Sequence, residues 1–303
     1  MITVCLPDSA AVESVGELPD VRFVVWDGLS EPPSELSDVQ FLVGKYASAP
    51  PQRSVLAGMP RLAVVQLLSA GVESWLDRIP PGAVLCNGRG VHGASTAELA
   101  VAGLVSVVRD LPHLLDAQRE HRWAHGSTGS LAGSSVLVLG AGDIGRRIAT
   151  ALTAFGADAV LVGRTARDDI RELADVPALL PAQDAVVVAL PATPETTRLV
   201  DATFLAAMRD GAVVVNVARG AVVDTDALVA ELTTGRLRAF LDVTEPEPLP
   251  VGHPLWDAPG LVLTPHIGGG TRGWERRAYE LVREQIGRFQ NGEQLHNVVS
   301  QGF

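Results

Sequence analysis

The chain has 303 residues, 47% hydrophobic and 19% charged, which is enough apolar material for a large core and a length that fits one to three domains. Its formal net charge of −11 gives no electrostatic footprint for nucleic acid or for an anionic membrane, so small molecules or another protein chain are the expected partners. Cys5 and Cys86 sit in the apolar stretches ITVCL and AVLCN with no CxxC spacing, which argues against thiol metal or redox chemistry and fits reduced thiols in a cytoplasmic protein.

The N-terminus, MITVCLPDSA, lacks the basic region and long apolar core of a signal peptide. Short runs rich in Val, Ile and Leu then alternate with helical patterns, which is the signature of βαβ units and an α/β fold. ITVCL, RFVVW, FLVGK, LAVVQLL and AVLCN are the expected strands of the first third. A second series runs VLVLG, AVLVG, AVVVAL, AVVVNV, AFLDV and LVLTP, each a continuous apolar run suited to a strand buried on both faces. Two doubly wound parallel sheets follow.

The boundary falls near STAELAVAGLVSVVRDL, where Ser95 or Thr96 is placed to cap a helix with Glu98 in its first turn. That helix is apolar on nearly every side, so it is expected to span domains or to meet a second subunit, and a homodimer is the expected assembly. Its apolar part, Leu99 to Val108, is about half the length of a membrane span. The last helical pattern runs from Tyr279 to Phe289 and stops at an Asn291-Gly292 turn.

The second series opens on VLVLGAGDIGRRIATAL, with Gly140, Gly142 and Gly145 at GxGxxG spacing. Gly140 permits the tight strand-to-helix turn, Gly142 lets backbone approach a phosphate, and Gly145 lets the helix pack closely on the sheet. Asp143 and Ile144 open that helix, whose N-terminal amides suit a dinucleotide pyrophosphate. The next strand ends at Arg164, where an NAD-binding protein usually places an acid for the ribose hydroxyls. Arg164, with Thr165 and Arg167 close behind, suits the extra phosphate of NADP, since a guanidinium forms a charge-assisted fork with phosphate. NADP is therefore the expected cofactor, with NAD also admitted.

Three later stretches carry chemistry. VVVNVARGAVVD puts Arg219 and Gly220 just past a buried strand, FLDVTEPEPLP places Asp242, Glu245 and Glu247 among prolines, and LVLTPHIGGGT puts His266 beyond another strand end. Ligands of doubly wound sheets lie at the carboxyl ends of strands, so a cation, a carboxylate and an imidazole are expected at neighbouring strand ends. Any one of the three alone also fits a structural role.

At these residues the chain resembles the D-isomer-specific 2-hydroxyacid dehydrogenase family. GAGDIG, LPATPETTRLV, VNVARGAVVDTDAL, LDVTEPEPLPVGHPLW and LTPHIGGGT look like its segments in order and at its spacing, and GEQLHNVV is similar to its usual ending. The resemblance implies a Rossmann cofactor domain, 95–280, inserted into a flavodoxin-like substrate domain made of 1–94 and 281–303. It implies that Arg219 binds the substrate carboxylate and polarises the keto oxygen, that His266 is the general acid for reduction, and that Glu247, more than Glu245, hydrogen-bonds the imidazole. A carboxylate partner favours the charged ring, which keeps an acid loaded near neutral pH.

By the same resemblance the backbone amides of Ala70 and Gly71, in LLSAGVE, hold the substrate carboxylate, and Thr96, Pro191, Thr193, Ala218, Asp242 and Gly268 line the cofactor site. The chain departs from the family at Glu73, at Thr244 in place of an aromatic, and at the glycines after His266. The implied activity is NADPH-dependent reduction of small 2-oxo acids, such as glyoxylate or hydroxypyruvate, to D-2-hydroxy acids. The alternatives are a nucleotide-sensing binding protein of the same fold and 3-phosphoglycerate oxidation. The latter is disfavoured by the lack of a further regulatory domain.

Other signals are set aside. His121 and His125 in HRWAH stand at a zinc-ligand spacing, but with no HExxH motif and no third ligand no metal is expected. Arg89 and His92 fit a site or a structural role equally. Trp123 and Trp256 are expected as packing anchors, with Trp75 and Trp274 as candidates for the substrate pocket.

Overall fold

A computed structural model describes residues 1–299. The chain forms two compact units, one made of residues 1–92 and the segment from Thr271 onward, the other of Gly93–Gly270. The expected first domain ends in residues 300–303, which lie outside the described residues.

In the first unit the strands are β1 (Ile2–Leu6), β2 (Val21–Val25), β3 (Phe41–Val43), β4 (Val64–Gln66) and β5 (Val84–Cys86), with helices α1 (Ser9–Val15) and α2 (Arg53–Ala57). They form one sheet in the order β2-β1-β3-β4-β5, and every pairing is parallel. This is the flavodoxin-like order, in which the chain reverses direction across the sheet between β1 and β3. Both faces are covered: Val4, Leu6, Phe41, Val43 and Val64 join one core cluster, while Cys5, Leu42 and Val65 join another. Side chains alternate across a strand, so a continuous apolar run supplies both cores at once.

The second unit contains α3 (Gly93–Val108), α4 (Leu111–Arg119), β6 (Ser135–Leu139), α5 (Asp143–Ala154), β7 (Asp158–Gly163), β8 (Ile170–Glu172), α6 (Val176–Leu179) and β9 (Ala185–Val188). It continues through α7 (Ala202–Ala207), β10 (Val213–Asn216), α8 (Thr225–Thr233), β11 (Arg238–Leu241) and β12 (Leu261–Leu263). Its seven strands are all parallel in the order β12-β11-β10-β9-β6-β7-β8, a Rossmann arrangement with its direction reversal between β6 and β9. Leu137, Leu139 and Val214 face one cluster, and Val136, Val138, Val213 and Val215 the other.

Several expectations change in the structure. Strand β8 was not foreseen, because Ile-Arg-Glu is too short and polar to read as a strand and exists by pairing with β7. Helix α3 begins at Gly93, so Ser95 and Thr96 lie within its first turn and neither is the N-cap residue. Its apolar surface packs in its own unit, where Ala97, Ala100, Val101, Leu104 and Val107 join Val136, Val138 and Phe240. A Cβ on Gly103 would lie 2.3 Å from the Phe240 ring, so glycine is what lets the helix approach.

The final helix, α9, runs Trp274–Gln290, and this places residues 271–280 with the first unit instead of the second. Ala278, Tyr279, Val282 and Ile286 bury together with Val4 and Phe41. The fully buried Gln285 amide donates to Gln66 Oε1 at 2.9 Å and to the His296 carbonyl at 2.8 Å, and its own Oε1 accepts from the His296 amide at 2.8 Å. Finally, HRWAH lies beyond the end of α4 and is not helical, and Trp123 and Trp256 are exposed, so neither tryptophan is a packing anchor. Trp75 is buried in the core.

Burial pushes the Cys5 thiol up to about 12 and the Cys86 thiol up to about 11, although a hydrogen bond with Gln285 partly opposes the shift at Cys86. An acid with a raised folded-state pKa leaves stability intact below its ordinary pKa and erodes it above, so both thiols should favour the folded state less as pH rises past 9.0. Both should resist an aromatic disulfide reagent at pH 8 in the native protein and react together on unfolding in urea. Rapid labelling of either thiol without loss of structure would contradict this burial.

Candidate active site

The glycine turn sits at the carboxyl end of β6, beside the point where the sheet reverses. Gly140 has φ +116°, and a Cβ there would lie 2.5 Å from the Ala189 carbonyl oxygen, so the turn and the end of β9 touch through backbone. A Cβ on Gly145 would lie 1.7 Å from the Gly140 carbonyl oxygen. Around Gly142 the space is open, with no atom within 4 Å of a Cβ built there. The result is a cradle of backbone amides at the N-terminus of α5, of the kind that accommodates a pyrophosphate. Asp143, the first residue of α5, pairs with Arg147 at 2.8 Å.

After β9, Pro191 and Thr193 lie in a loop closed by Thr196, whose hydroxyl accepts from the Thr193 amide at 2.7 Å and donates to the Pro191 carbonyl at 2.7 Å. After β7, Arg164, Thr165 and Arg167 are exposed in a turn closed by reciprocal backbone bonds between Arg167 and Ile170 of 3.1 and 2.8 Å.

The chemical residues follow three adjacent strands, β10, β11 and β12. At the end of β10, the buried Asn216 folds the chain back: its Nδ2 donates to the Arg219 carbonyl at 2.9 Å, and its Oδ1 accepts from the Ala218 amide at 3.0 Å. Arg219 is half-buried and donates to the Ala218 carbonyl at 2.7 Å. The next residue must be glycine, since a Cβ on Gly220 would lie 2.0 Å from the Thr244 carbonyl oxygen, and this contact brings the Arg219 turn against the loop that carries Glu247.

Past β11, Asp242 is 2% exposed and accepts from three donors. Thr264 Oγ1 donates to it at 2.6 Å, the Ile267 amide at 2.9 Å, and the Gly268 amide at 2.8 Å. The Asp242 carbonyl accepts from the His266 amide at 2.7 Å. His266 itself has φ +53°, a left-handed conformation that an L residue holds at a cost of about 1 kcal/mol or more unless neighbours fix it. Here the carboxylate of Asp242 fixes both flanks. The loop so formed presents the imidazole to Glu247, with His266 Nδ1 and Glu247 Oε1 2.6 Å apart. Both side chains are partly exposed, so the pair is accessible to a ligand. With Nδ1 facing a carboxylate acceptor, Nε2 is the nitrogen left for chemistry.

In this unit Thr96 Cγ2 would lie 3.3 Å from a Cβ on Gly268, so these two cofactor candidates are neighbours. Glu245, the other acid of the EPEP run, is instead held through its carbonyl by Thr225 Oγ1 at 2.9 Å. Asn216 and the anchoring role of Asp242 are what the sequence reading missed. An asparagine inside the apolar run AVVVNV was the available signal for Asn216, whereas the partners of Asp242 lie too far along the chain to read locally.

In the other unit, Ala70 and Gly71 follow β4, and their carbonyls are taken by Asn87 Nδ2 at 3.1 Å and Ser69 Oγ at 2.9 Å. Among the described residues neither of their amides has a protein acceptor, so both remain available to an anion. His92 and Trp274 stack with Tyr46, at centroid distances of 5.2 Å for Tyr46–His92 and 4.2 Å for Tyr46–Trp274. Arg89 is bonded to Asn297 at 3.2 Å. Among the described residues no cluster of His, Cys, Asp or Glu is placed to hold a metal ion, and no helix is long and apolar enough to cross a membrane.

Residues 101–268 match the model of the D-isomer specific 2-hydroxyacid dehydrogenase NAD binding domain. The chain is 35% identical over 234 residues to human glyoxylate reductase/hydroxypyruvate reductase, covering 73% of this chain and 71% of that protein. It is also 35% identical over 263 residues to D-3-phosphoglycerate dehydrogenase of Mycobacterium tuberculosis, covering 82% of this chain but only 49% of that one, so it spans about half the length of that relative. Among solved structures, a D-isomer specific 2-hydroxyacid dehydrogenase from Xanthobacter autotrophicus Py2, in complex with NADPH and MES, superposes with a TM-score of 0.86 at 31% identity, over 99% of this chain and 98% of that one. The chain belongs to the D-isomer specific 2-hydroxyacid dehydrogenase family.

Asp242→Asn replaces an acceptor-only group by one whose amide must face an N–H donor, so it should cost about 2 to 4 kcal/mol. A urea midpoint unchanged from the parent would show that the carboxylate does not anchor the loop.

Proposed function

We propose that the protein is an NADPH-dependent reductase of small 2-oxo acids, of the glyoxylate or hydroxypyruvate kind, giving D-2-hydroxy acids. The observation that carries this reading is the 2.6 Å contact between His266 Nδ1 and Glu247 Oε1, on a loop adjoining a turn that bears a half-buried arginine. A cytoplasmic homodimer is part of the proposal, supported by the exposed Leu111, Leu115 and Trp123 and by two buried reduced thiols.

The cradle of Gly140, Gly142, Asp143, Ile144 and Gly145 would hold the cofactor pyrophosphate, Arg164, Thr165 and Arg167 its adenosine end, and Thr96, Pro191, Thr193, Ala218, Asp242 and Gly268 the remainder. The reduced nicotinamide, when bound, supplies the hydride. Arg219 binds the substrate carboxylate through its planar fork and polarises the keto oxygen. Taken by themselves, the Ala70 and Gly71 amides of the first unit suit a carboxylate. Charge that develops on the keto oxygen is neutralised by a proton from His266 Nε2. Glu247 orients the ring from Nδ1 so that Nε2 faces the reacting oxygen, and general acid catalysis of this kind is typically worth about 10² to 10⁴ in rate. The product is the hydroxy acid, with the imidazole left neutral for reprotonation from solvent.

Support for NADPH comes from Arg164 at the end of β7 and from the NADPH complex of the Xanthobacter neighbour. A second reading, oxidation of 3-phosphoglycerate, is favoured by the mycobacterial relatives named D-3-phosphoglycerate dehydrogenase. The test is cofactor absorbance at 340 nm with glyoxylate, hydroxypyruvate and 3-phosphohydroxypyruvate, each offered with NADPH and with NADH. Rapid NADPH oxidation by the two small acids is expected, with His266→Ala lowering kcat by about 10² or more. No turnover of any 2-oxo acid, or a fully active His266→Ala protein, would overturn the assignment.

Arg164→Asp places a carboxylate where a phosphate is expected and should invert the preference toward NADH, read as the ratio of kcat/KM values. An unchanged ratio would remove Arg164 from cofactor selection.

A further inference from the structure

The start of α5 carries two successive arginines, Arg146 and Arg147, with different partners. Arg147 is neutralised by Asp143. Arg146 is exposed, and its Nε donates to the carbonyl of Ala141, inside the glycine turn, at 3.1 Å. Among the described residues Arg146 has no carboxylate partner. Side chains of a helix lean toward its N-terminus, and here that lean folds the guanidinium back over the turn.

Ala141 is where the turn meets the end of β7. A Cβ on Gly163 would lie 3.5 Å from the Ala141 side chain and 3.7 Å from the Thr165 carbonyl oxygen. Arg164, Thr165 and Arg167 follow Gly163, so the residue whose carbonyl holds Arg146 packs beside the start of the loop that carries the other two cations. The acids nearby are Asp168 and Asp169 in the same loop and Glu195 after β9. The Glu195 carboxyl is held below its ordinary range by the Thr193 hydroxyl and its own amide, with a further contribution from Arg164. A guanidinium is a charge-assisted fork donor, and phosphate is an anion that such a fork matches. The pyrophosphate is a poorer destination for Arg146, because the helix amides already serve it.

Resting on the NADPH reading above, we propose that Arg146 is a further ligand of the phosphate that distinguishes NADP from NAD, acting with Arg164 and Arg167. The group selects the cofactor from the helix side of the turn, opposite the loop that carries the other two cations.

Adenosine 2′,5′-bisphosphate and 5′-AMP differ only by that phosphate, and titration calorimetry of the full chain with each isolates its contribution. The parent should bind the bisphosphate more tightly. Arg146→Ala should weaken the bisphosphate about tenfold and 5′-AMP less than twofold, and Arg146→Lys should recover part of the loss. Arg147→Ala, with its charge already paired, should leave the ratio unchanged, and the urea midpoints of all variants confirm folding. Equal losses for both nucleotides would place Arg146 on the shared phosphate and overturn the proposal, as would no loss. A parent that binds both equally would overturn the NADPH reading itself, and this proposal with it.

Discussion

A single buried carboxylate organises the chemistry of this protein. Asp242, just past β11, accepts from a hydroxyl and two amides of the segment 264–268, and its own carbonyl takes the amide of His266. These bonds hold a left-handed residue in place and aim its ring at Glu247. Hydrogen bonds to a charged acceptor are roughly twice as strong as neutral ones, and a buried charge is tolerated only when so paired. The proposed proton donor and the residue that fixes its position therefore differ, and the second is the more deeply buried.

Similar economy governs the two neighbouring loops. The Arg219 turn is closed by Asn216 and pressed on the Thr244 carbonyl through Gly220, while the nucleotide cradle is closed by Gly140 against Ala189. In each case a strand end touches the adjacent strand's loop through backbone, which only glycine permits. A parallel sheet brings these ends to one edge, and the close glycine contacts set their spacing.

Much of this was legible in the sequence, for identifiable reasons. Apolar runs marked eleven of the twelve strands, most clearly the central ones such as β9 and β10, because a strand buried on both faces has no polar positions to blur it. The exception, β8, has no core of its own and exists through a neighbour. GxGxxG could be read because each glycine answers a local steric demand. Helix ends were less legible: α3 and α9 both start earlier than their apolar periodicity suggested, since Gly93 and Trp274 are fixed by the surrounding fold. The anchoring role of Asp242 was invisible because its acceptor bonds span 22 to 26 residues, and the return of Arg146 to Ala141 depends on a side-chain direction no pattern encodes.

The account stands most directly on the protonation and partner of one nitrogen. Nitrogen-15 NMR of imidazole-labelled protein should show His266 with a protonated Nδ1 and a far-downfield proton that Glu247→Gln shifts upfield while the fold persists. A His266 resonance indifferent to Glu247, or a neutral ring carrying its proton on Nε2, would contradict it.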